Sequence, residues 1–464
     1  GIGKGTAQRI QQFVTTGHID ILDDLDAKYP PGLSQLMQIP GMGPKKVSLV
    51  YSQLGVKDVD DLKRVIESGE LEMLPGLGAA TVKKISEGLK FQESFGERTP
   101  LGIALPVAEV FAQRVRELPG VVRVEIAGSL RRGMETIGDI DILCAATPCE
   151  PVVQAFTKFH GVKNVLAAGP TKASVVAEME NGREIQIDLR VVENESFGAA
   201  LQYFTGSKEH NVRLRERAIV RKWSLNEYGL WDGETRVTGA EEEEIYSKLG
   251  LPFIPPEIRE DHGEFELKST PQLVTLADIR GDLHLHTKAS DGRYTIEEMA
   301  VAARDLGYEY IAICDHSKSS TIANGLSIER MREHLDAIRD ANKQIDGIGI
   351  LAGCECDILS DGSMDYPDEI LAACDWVVAS IHSGITRSIK GLSPTERTLA
   401  AIENRWVSAI GHPTGRLIHE RPAMEIDMDA VVKAAARTGT ILEINANWHR
   451  LDLNDAHACQ ALAA

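Results

Sequence analysis

The fold is decided by a stretch in which acidic and apolar residues alternate, Asp139-Ile140-Asp141-Ile142-Leu143. On a β-strand successive side chains leave opposite faces, so the two aspartates share one face while the two isoleucines enter a core. Two carboxylates in so small a space repel each other unless cations bridge them. Oxygen ligands suit Mg²⁺, which usually keeps substrate phosphates in its coordination shell. The stretch therefore predicts a strand that carries a metal–nucleotide site.

Two further motifs extend this site. Residues 184–190 alternate in the same way and place Asp188 on the polar face of another strand, which can lie beside the first. Upstream, Gly128 and Ser129 follow a predicted strand and open a helix, and Arg132 comes soon after. Such a turn supplies amides, a hydroxyl and a guanidinium suited to a triphosphate. Either motif alone is more often a solvated strand face or a plain turn, but both in this order favour a nucleotide site.

Length and composition bound the class of protein. The 464 residues and 43% apolar content predict about three domains. The formal net charge of -19 excludes a uniformly basic coat, so nucleic-acid contacts have to come from local basic stretches and backbone amides. The seven cysteines form no CxxC pair, which favours a reducing compartment. We find no long apolar run and no leader, so we expect a cytoplasmic protein with no membrane partner.

Three glycine-bearing turns, at residues 1–4, 40–45 and 75–78, each open an amphipathic helical pattern. A Gly-x-Gly turn frees backbone N–H groups to hold one phosphate without reading any base. One copy often has a purely steric reason, but three copies are more specific. They resemble helix-hairpin-helix DNA-binding motifs. The DNA-binding residues implied by the two complete turns are Gly41, Gly43, Lys45, Gly76 and Gly78.

The hydrophobic pattern changes along the chain. Between residues 121 and 190 short β-branched runs predict a sheet with helices, and residues 197–222 follow as a helical stretch. Residues 252–266 are rich in proline and acidic side chains and are typical of a linker. Six apolar strands then alternate with helices, which predicts a parallel α/β barrel. The predicted strands are 283–285, 310–314, 348–352, 376–381, 407–410 and 440–444.

Histidines recur at the ends of these predicted strands. In a parallel barrel all such ends meet at one mouth, so imidazoles remote in sequence would converge on a transition metal such as Mn²⁺, Zn²⁺ or Fe²⁺. A lone histidine is more often a satisfied or exposed side chain, but repeated placement at successive strands favours a metal centre. The candidate ligands are His284, His286, His316, Glu355, His382 and His412.

Residues 1–260 resemble family X DNA polymerases, the family of DNA polymerase beta, in the order of their hairpins, Gly-Ser turn, carboxylates and Tyr-Phe-Thr-Gly-Ser at 203–207. The resemblance implies two-metal phosphoryl transfer with Mg²⁺ or Mn²⁺, in which one ion activates the primer 3′-hydroxyl and the other holds the triphosphate. Asp139 and Asp141 would bind both ions, and Asp188 the catalytic one.

The same resemblance implies the partners, which are gapped or primer–template DNA and deoxynucleoside triphosphates, bound by a monomer. Residues 213–223 hold five basic side chains against Glu216 alone, so local basicity answers the negative net charge. The implied nucleotide-binding residues are Gly128, Ser129, Arg132, Tyr203, Phe204, Gly206 and Asn211, with Arg215 on the DNA.

Residues 278–464 resemble the PHP phosphoesterase domain that bacterial family X polymerases carry after the thumb. This implies a multinuclear metal site for 3′-5′ exonuclease or 3′-end processing, with Asp291 as an extra ligand. The family supplies two final ligands as an Asp-x-His near a last strand, and we expect this chain to end before them. Asp455-Ala456-His457 has the right letters in a polar helical stretch, and we expect it to be a coincidental match.

One departure from the family concerns Arg9. In beta-type enzymes the first hairpin carries a lysine that forms a Schiff base with an abasic sugar, and aligning the turn at residues 1–3 places Arg9 there. Arginine stays protonated and cannot readily serve as that amine nucleophile. We therefore expect no strong deoxyribose-phosphate lyase activity.

The resemblances imply a multidomain fold with truncated first and last regions. Our main hypothesis is template-directed gap filling in DNA repair. In a rival hypothesis the PHP barrel is the main activity, a DNA-binding metal phosphoesterase or nuclease, and in a third the truncated chain only binds DNA. The predicted regions are a helical helix-hairpin-helix region (1–95), an α+β nucleotidyltransferase palm (96–192), a helical and mixed thumb (193–260), a linker (261–277) and an α/β PHP domain, a distorted βα barrel (278–464).

Overall fold

The chain divides into two compact units, one made of Gly1–Glu97 with Leu417–Pro422 and the other of Arg98–Arg416 with Ala423–Ala464. In the described ranges no helix is long and apolar enough to cross a membrane. The predicted glycine turn at residues 1–4 lies outside the described residues. The computed structural model describes residues 9, 11–15, 18–19, 29–30, 32–37, 39, 41–79, 81–86, 89, 98–179, 182–385 and 391–464.

The first unit is helical, as predicted. Its local sequence explains the helix ends, since proline at a first helical position loses no hydrogen bond, and Pro44 starts the second helix. Asp58 caps the third helix by accepting the backbone N–H of Asp61 at 2.9 Å. Apolar side chains from all these helices, including Leu36, Val50 and Leu62, form one core. The helices are α1 (Gly32–Leu36), α2 (Pro44–Leu54) and α3 (Val59–Glu67), followed by a 3₁₀ turn at Glu70–Met73.

The palm is a five-stranded sheet packed against helices, as predicted. The strand order is β2-β4-β7-β6-β5, in which only the central pair β4 and β7 is parallel. Ile140 and Ile142 are buried on the helical face, which leaves the alternate residues on the other face. The elements are β1 (Thr99–Pro100), α4 (Leu101–Arg116), β2 (Val121–Ile126), α5 (Gly128–Arg131), β3 (Thr136–Ile137), β4 (Asp139–Ala146), α6 (Glu150–Phe156), β5 (Val162–Ala168), β6 (Lys172–Glu178) and β7 (Glu184–Val192).

The thumb begins with two helices rather than the single helical stretch expected for residues 197–222. The break falls at Gly206, whose φ of +73° lies in the left-handed region that ends a helix. Ser207 then caps the next helix by accepting the backbone N–H of His210 at 3.2 Å. The elements are α7 (Phe197–Thr205), α8 (Lys208–Val220), the antiparallel strands β8 (Ser224–Asn226), β9 (Gly229–Asp232) and β10 (Thr235–Thr238), and α9 (Glu242–Lys248).

Residues 252–266, which their composition assigned to a linker, are packed rather than extended. Arg259 is 0% exposed and donates to the Ile254 carbonyl at 2.8 Å and to Glu242 at 2.5 Å. Phe265 is also buried in the thumb core. Burial alone would raise the pKa of Glu242, but the charges of Arg259 and Arg131 hold it below its usual value. The paired charge explains how so polar a segment can be buried.

The last region contains the six predicted strands in one parallel sheet, in the order β11 to β16. The third strand continues past Glu355 to Asp357, so Glu355 lies within the strand and not at its end. His284 of the first strand lies 2.7 Å from Glu443, which directly follows the last strand. The sheet is therefore curled into a half-barrel, which is the distorted form of the predicted barrel. The strands are β11 (Gly281–Leu285), β12 (Tyr310–Ile313), β13 (Gly349–Asp357), β14 (Trp376–Ser380), β15 (Ala409–Ile410) and β16 (Ile441–Leu442).

Helices cover the outside of this curled sheet. α10 begins with a capping box, in which Thr295 and Glu298 each accept a hydrogen bond from the other's backbone N–H. A large core between helices and strands includes Leu335, Ile350 and Val431. The helices are α10 (Ile296–Asp305), α11 (Ile328–Gln344), α12 (Asp368–Leu371), α13 (Pro394–Ile402), α14 (Met428–Thr438) and α15 (Asp455–Leu462).

Candidate active sites

The three palm carboxylates come together at the parallel pair of strands. Asp141 of β4 lies in register with Asp188 of β7, and Asp139 is in register with Gln186. One carboxylate oxygen from each aspartate lies within 4.8 Å of the others. Gln186 Nε2 donates to both oxygens of Asp188, at 3.0 and 3.2 Å, and so fixes that side chain. The structure therefore gathers the acidic residues that the alternation singled out.

Electrostatics at this cluster favour a bound cation. Burial and the neighbouring carboxylates of Asp139 and Asp188 raise the pKa of Asp141 to about 7. Burial and Asp188 also raise the pKa of Asp139. Divalent ions would relieve this repulsion, and an all-oxygen donor set fits Mg²⁺ or Mn²⁺. The three aspartates are the residues that could hold such ions.

Gly128 passes unusually close to the cluster. Its φ is +64°, and a Cβ built on it would lie 2.1 Å from Oδ2 of Asp141. The next strand holds the turn in place, because the backbone N–H of Ala127 donates to the Asp141 carbonyl at 2.8 Å. Only glycine fits here, for reasons of both backbone conformation and space. The Gly-Ser turn thus lies directly over one of the carboxylates.

A cleft of about 480 Å³ opens in front of Asp139 and Asp141. Asp188 lines a smaller neighbouring cavity of about 140 Å³, which it shares with Asp141. The cleft is also lined by two cationic side chains that the sequence analysis missed, Arg98 and Lys208. The predicted residues that line it are Gly128, Ser129, Arg132, Tyr203, Phe204, Gly206, Asn211 and Arg215.

No sequence motif indicated that Arg98 lines the cleft. It precedes β1 and donates to the Thr136 hydroxyl at 2.9 Å and to the Thr136 carbonyl at 2.5 Å. These bonds tie the start of the palm to the strand just before the Asp-x-Asp sequence. The charge of Arg98 opposes the rise in the pKa of Asp139. Lys208 follows the helix cap Ser207, and its position after a Gly-Ser turn was the only available signal.

The two adjacent arginines that follow the Gly-Ser turn make different contacts. Arg131 is turned away from the cleft and binds Glu242 through two nitrogens, at 3.0 and 2.8 Å. Arg132 lines the cleft, where Nε bonds Glu260 at 2.6 Å and Nη1 bonds the Thr205 carbonyl at 2.5 Å. Arg132 therefore links palm and thumb at the predicted triphosphate position.

The thumb side of the cleft is ordered by a polar network. Asn211 donates to the Tyr203 carbonyl at 2.7 Å and accepts from Gln202 at 2.6 Å. The rings of Tyr203 and Phe204 pack edge to face with centroids 5.1 Å apart. These contacts hold the last turn of α7 against the first turn of α8, at residues that the family resemblance implies for nucleotide binding.

The two described glycine hairpins have the expected geometry. Gly41 and Gly76 have φ values of +93° and +82°. Gly43 is the N-cap of α2, and Gly78 accepts the backbone N–H groups of residues 81 and 82. Lys45 lies exposed in the first turn of α2. Each turn therefore leads into the N-terminal end of a helix, the kind of position at which a phosphate can be bound.

The predicted histidines surround one buried carboxylate. Glu355 is 1% exposed, and a nitrogen from each of five imidazoles lies between 2.9 and 3.5 Å from its oxygens. These histidines lower the pKa of Glu355 well below its usual value, against the effect of burial. The five are His284, His286, His316, His382 and His412.

This centre fits metal ions. Asp291 lies 3.6 Å from both His286 Nδ1 and His316 Nε2, so the predicted extra ligand joins the cluster. Within the described ranges, Nε2 of His284 and Nδ1 of His286 are buried and make no hydrogen bond. Buried nitrogens without a bond are costly, and a coordinated metal would satisfy them. Asp455 and His457 lie instead in the first turn of α15.

Three acidic residues support the histidine centre, and the sequence analysis named none of them. Asp357 lies 2.5 Å from His382 Nδ1, and Glu443 lies 2.7 Å from His284 Nδ1. Asp315 accepts from the Thr287 hydroxyl at 2.7 Å and so holds the loop after β11. Their positions at or just after predicted strands were the available signal.

Comparisons with known proteins agree with this architecture. Family models match at residues 33–90 (SAM-like helix-hairpin-helix tandem), 200–260 (DNA polymerase beta thumb) and 282–447 (PHP domain). The DNA polymerase/3′-5′ exonuclease PolX of Bacillus subtilis (strain 168) is 40% identical over 464 aligned positions, which cover 99% of this chain and 81% of that protein. This chain belongs to the bacterial PolX family.

A further relative and a solved structure match part of this chain. DNA polymerase lambda of Rattus norvegicus is 26% identical over 289 positions, 56% of this chain and 47% of that protein. A solved ternary P/T complex of polymerase beta from Leishmania infantum aligns with a TM-score of 0.33 and 22% identity over 49% of this chain and 98% of that chain. The matched ranges lie inside the predicted regions, whose boundaries remain predictions.

Membership of the PolX family gives the approach of Gly128 to Asp141 a measurable consequence. Gly128→Ala is expected to lower primer extension roughly 10²-fold, because a methyl group 2.1 Å from Oδ2 must displace the Asp141 carboxylate. Gly133→Ala is the matched control, since Gly133 has a similar φ of +69° with nothing near its Cβ position. If both variants lost the same fraction of steady-state extension, backbone strain alone would explain the loss. Displacement of the Asp141 carboxylate would then be contradicted.

Proposed function

We propose that this chain extends a DNA primer on a template and fills short gaps, by transfer of a nucleotide between two divalent ions in the palm. The gathering of Asp139, Asp141 and Asp188 beside the Gly-Ser turn carries this proposal. The PolX relative and the thumb match support the polymerase class. Mg²⁺ or Mn²⁺ is the expected ion, because every donor in the cluster is a carboxylate oxygen.

The residues of the chain prepare this reaction by binding and orienting. Two divalent ions supply charge neutralisation and lower the barrier to deprotonating the primer hydroxyl. Asp139 and Asp141 would hold both ions, and Asp188, fixed by Gln186, would hold the ion next to the primer. Ser129 and Arg132 line the cleft and would face the deoxynucleoside triphosphate, whose negative charge Arg132 would complement.

The thumb helices would bind the nascent base pair and the template. Tyr203 and Phe204 line the cleft and would pack by the sugar, where a 2′-hydroxyl would be tested, and Asn211 and Arg215 follow on α8. Two other arginines of α8 are engaged within the thumb, since Arg213 pairs with Asp261 at 3.3 Å and Arg217 donates to the Phe265 carbonyl at 3.2 Å. Arg215, which lines the cleft, is therefore our principal candidate for a thumb contact with DNA.

A second activity is favoured by the histidine centre. We infer that the PHP domain hydrolyses phosphate esters at DNA 3′ ends, as a 3′-5′ exonuclease or end-processing activity. The observation that supports it is the set of five imidazoles and Asp291 around buried Glu355. Such a mixed nitrogen and oxygen set suits Mn²⁺, Zn²⁺ or Fe²⁺. We expect the chain to act as a monomer in the cytoplasm.

The proposal is tested by extension of a labelled primer on duplexes with gaps of different length. We expect template-directed incorporation with Mg²⁺ or Mn²⁺, faster on a short gap than on an open primer–template of the same sequence. A duplex without a gap is the control for terminal addition. Incorporation that ignores the template base, or no incorporation with either metal, would contradict the proposed function.

A further inference from the structure

Glu443 is a largely buried carboxylate at the end of the curled sheet, immediately after β16. Its oxygen Oε1 lies 2.7 Å from Nδ1 of His284, and Oε2 accepts the backbone N–H of His412. Both oxygens are thus engaged by the protein. Among the described residues, Glu443 belongs to none of the groups whose ligand atoms converge closely enough to share an ion. Its position therefore favours support of a ligand over direct coordination.

The contact with Glu443 determines which nitrogen of His284 faces the centre. A carboxylate accepts hydrogen bonds, so Nδ1 of His284 carries the hydrogen. The other nitrogen, Nε2, lies 3.4 Å from Glu355 Oε2, in the ligand group that also contains His286, and would offer its lone pair to a bound metal. A carboxylate behind a histidine in this way selects the tautomer and orients the ring for a metal.

A second carboxylate repeats the arrangement on the opposite side of Glu355. Asp357 lies 2.5 Å from Nδ1 of His382, whose Nε2 is 3.2 Å from Glu355 Oε1. Asp357 is itself held by the hydroxyls of Ser319 and Ser320. The same geometry, a carboxylate against Nδ1 of a histidine whose Nε2 faces Glu355, therefore occurs twice. This recurrence argues against a chance contact.

We propose that Glu443 is a positioning residue for the histidine centre, which holds His284 with Nε2 directed at the metal position. It does so by joining the first strand of the sheet to the segments that follow β15 and β16. Asp357 plays the equivalent part for His382. This inference rests on the proposed metal-binding role of the PHP domain and adds a residue to it.

The test is Glu443→Gln, which keeps the shape but leaves one oxygen for two N–H donors, so either His284 or His412 loses its acceptor. The affinity of the full chain for Mn²⁺ is expected to fall by roughly 10- to 100-fold. It is measured by electron paramagnetic resonance of free Mn²⁺, in a background with Asp188→Asn so that the palm contributes little. Glu333→Gln, an exposed glutamate of α11, is the matched control.

Asp357→Asn should lower the Mn²⁺ affinity by a similar factor, and Glu443→Asp should give an intermediate loss because it restores the acceptor charge. A dissociation constant for Glu443→Gln within twofold of the Glu333→Gln value, or a parent chain that binds no Mn²⁺, would overturn the inference. A purely structural role would instead lower the melting temperature of the metal-free chain and leave affinity unchanged. Because affinity is measured without substrate, failure of the proposed 3′-end hydrolysis would be seen separately.

Discussion

Asp188→Ala is expected to reduce primer extension by on the order of 10³-fold or more, since it removes one of the three carboxylates that would hold the catalytic ion. Asp188 lies in register with Asp141, and Gln186 donates to both its oxygens, so its carboxylate is held in place beside the other two. The loss should appear in the rate of nucleotide addition at saturating triphosphate. Single-turnover extension of a labelled primer measures it directly.

Two controls separate this loss from a change in folding. Glu184→Ala alters an exposed carboxylate at the start of the same strand, outside the cluster, and should extend primers like the parent chain. The affinity of the Asp188→Ala chain for Mn²⁺ at the histidine centre should also be unchanged. Extension by Asp188→Ala within tenfold of the Glu184→Ala rate would refute the assignment of the palm site.

Glu355→Gln is expected to abolish metal-dependent release of nucleotides from DNA 3′ ends while leaving primer extension intact. The carboxylate is 1% exposed and lies within 3.5 Å of five imidazoles, so an amide removes the negative charge that all five of them face. Loss of an outer-shell partner alone costs about 10- to 100-fold in metal affinity, so loss of this central ligand should exceed 100-fold. Metal content after dialysis and release of a 3′ label report the two consequences.

The control for Glu355→Gln is Glu333→Gln, which changes an exposed side chain of the same region. Retained polymerase activity would show that Glu355→Gln still folds. If the variant kept both its metal and its 3′-end hydrolysis, the histidine centre would be neither the metal site nor the source of that activity. The rival hypothesis, in which the PHP domain is the main activity, gains support only if extension by the parent chain is absent.

Much of the fold was predictable because it follows from local patterns. The alternation around Asp139 and Asp141 placed both side chains on one face of a strand, whatever the rest of the sheet did. The six PHP strands were found from their apolar runs, and their order follows the chain. The packing of Arg259 was not predicted, since it depends on contacts with distant segments. The helical break at Gly206 was also missed, although the glycine and the capping Ser207 are local signals.

The residues of the two sites also include some that the sequence predicted and some that it did not. The sequence named Asp188, His284 and Glu355 as candidates from residue type and strand position, and the structure brings each into a cluster. It could not name Glu443, whose partner His284 is 159 positions away and is reached only because the sheet curls. Nor could it find Arg98, whose place at the cleft results from its bonds to Thr136.

By itself the sequence determined the strands, the turns and which side chains face away from a core, because period and glycine placement act within a few residues. The tertiary structure alone decided which acids share a space. The parallel pairing of β4 with β7 and the curvature that joins β11 to the end of β16 are long-range outcomes of packing. Distances such as the 2.7 Å between His284 and Glu443 therefore exist only in the folded chain.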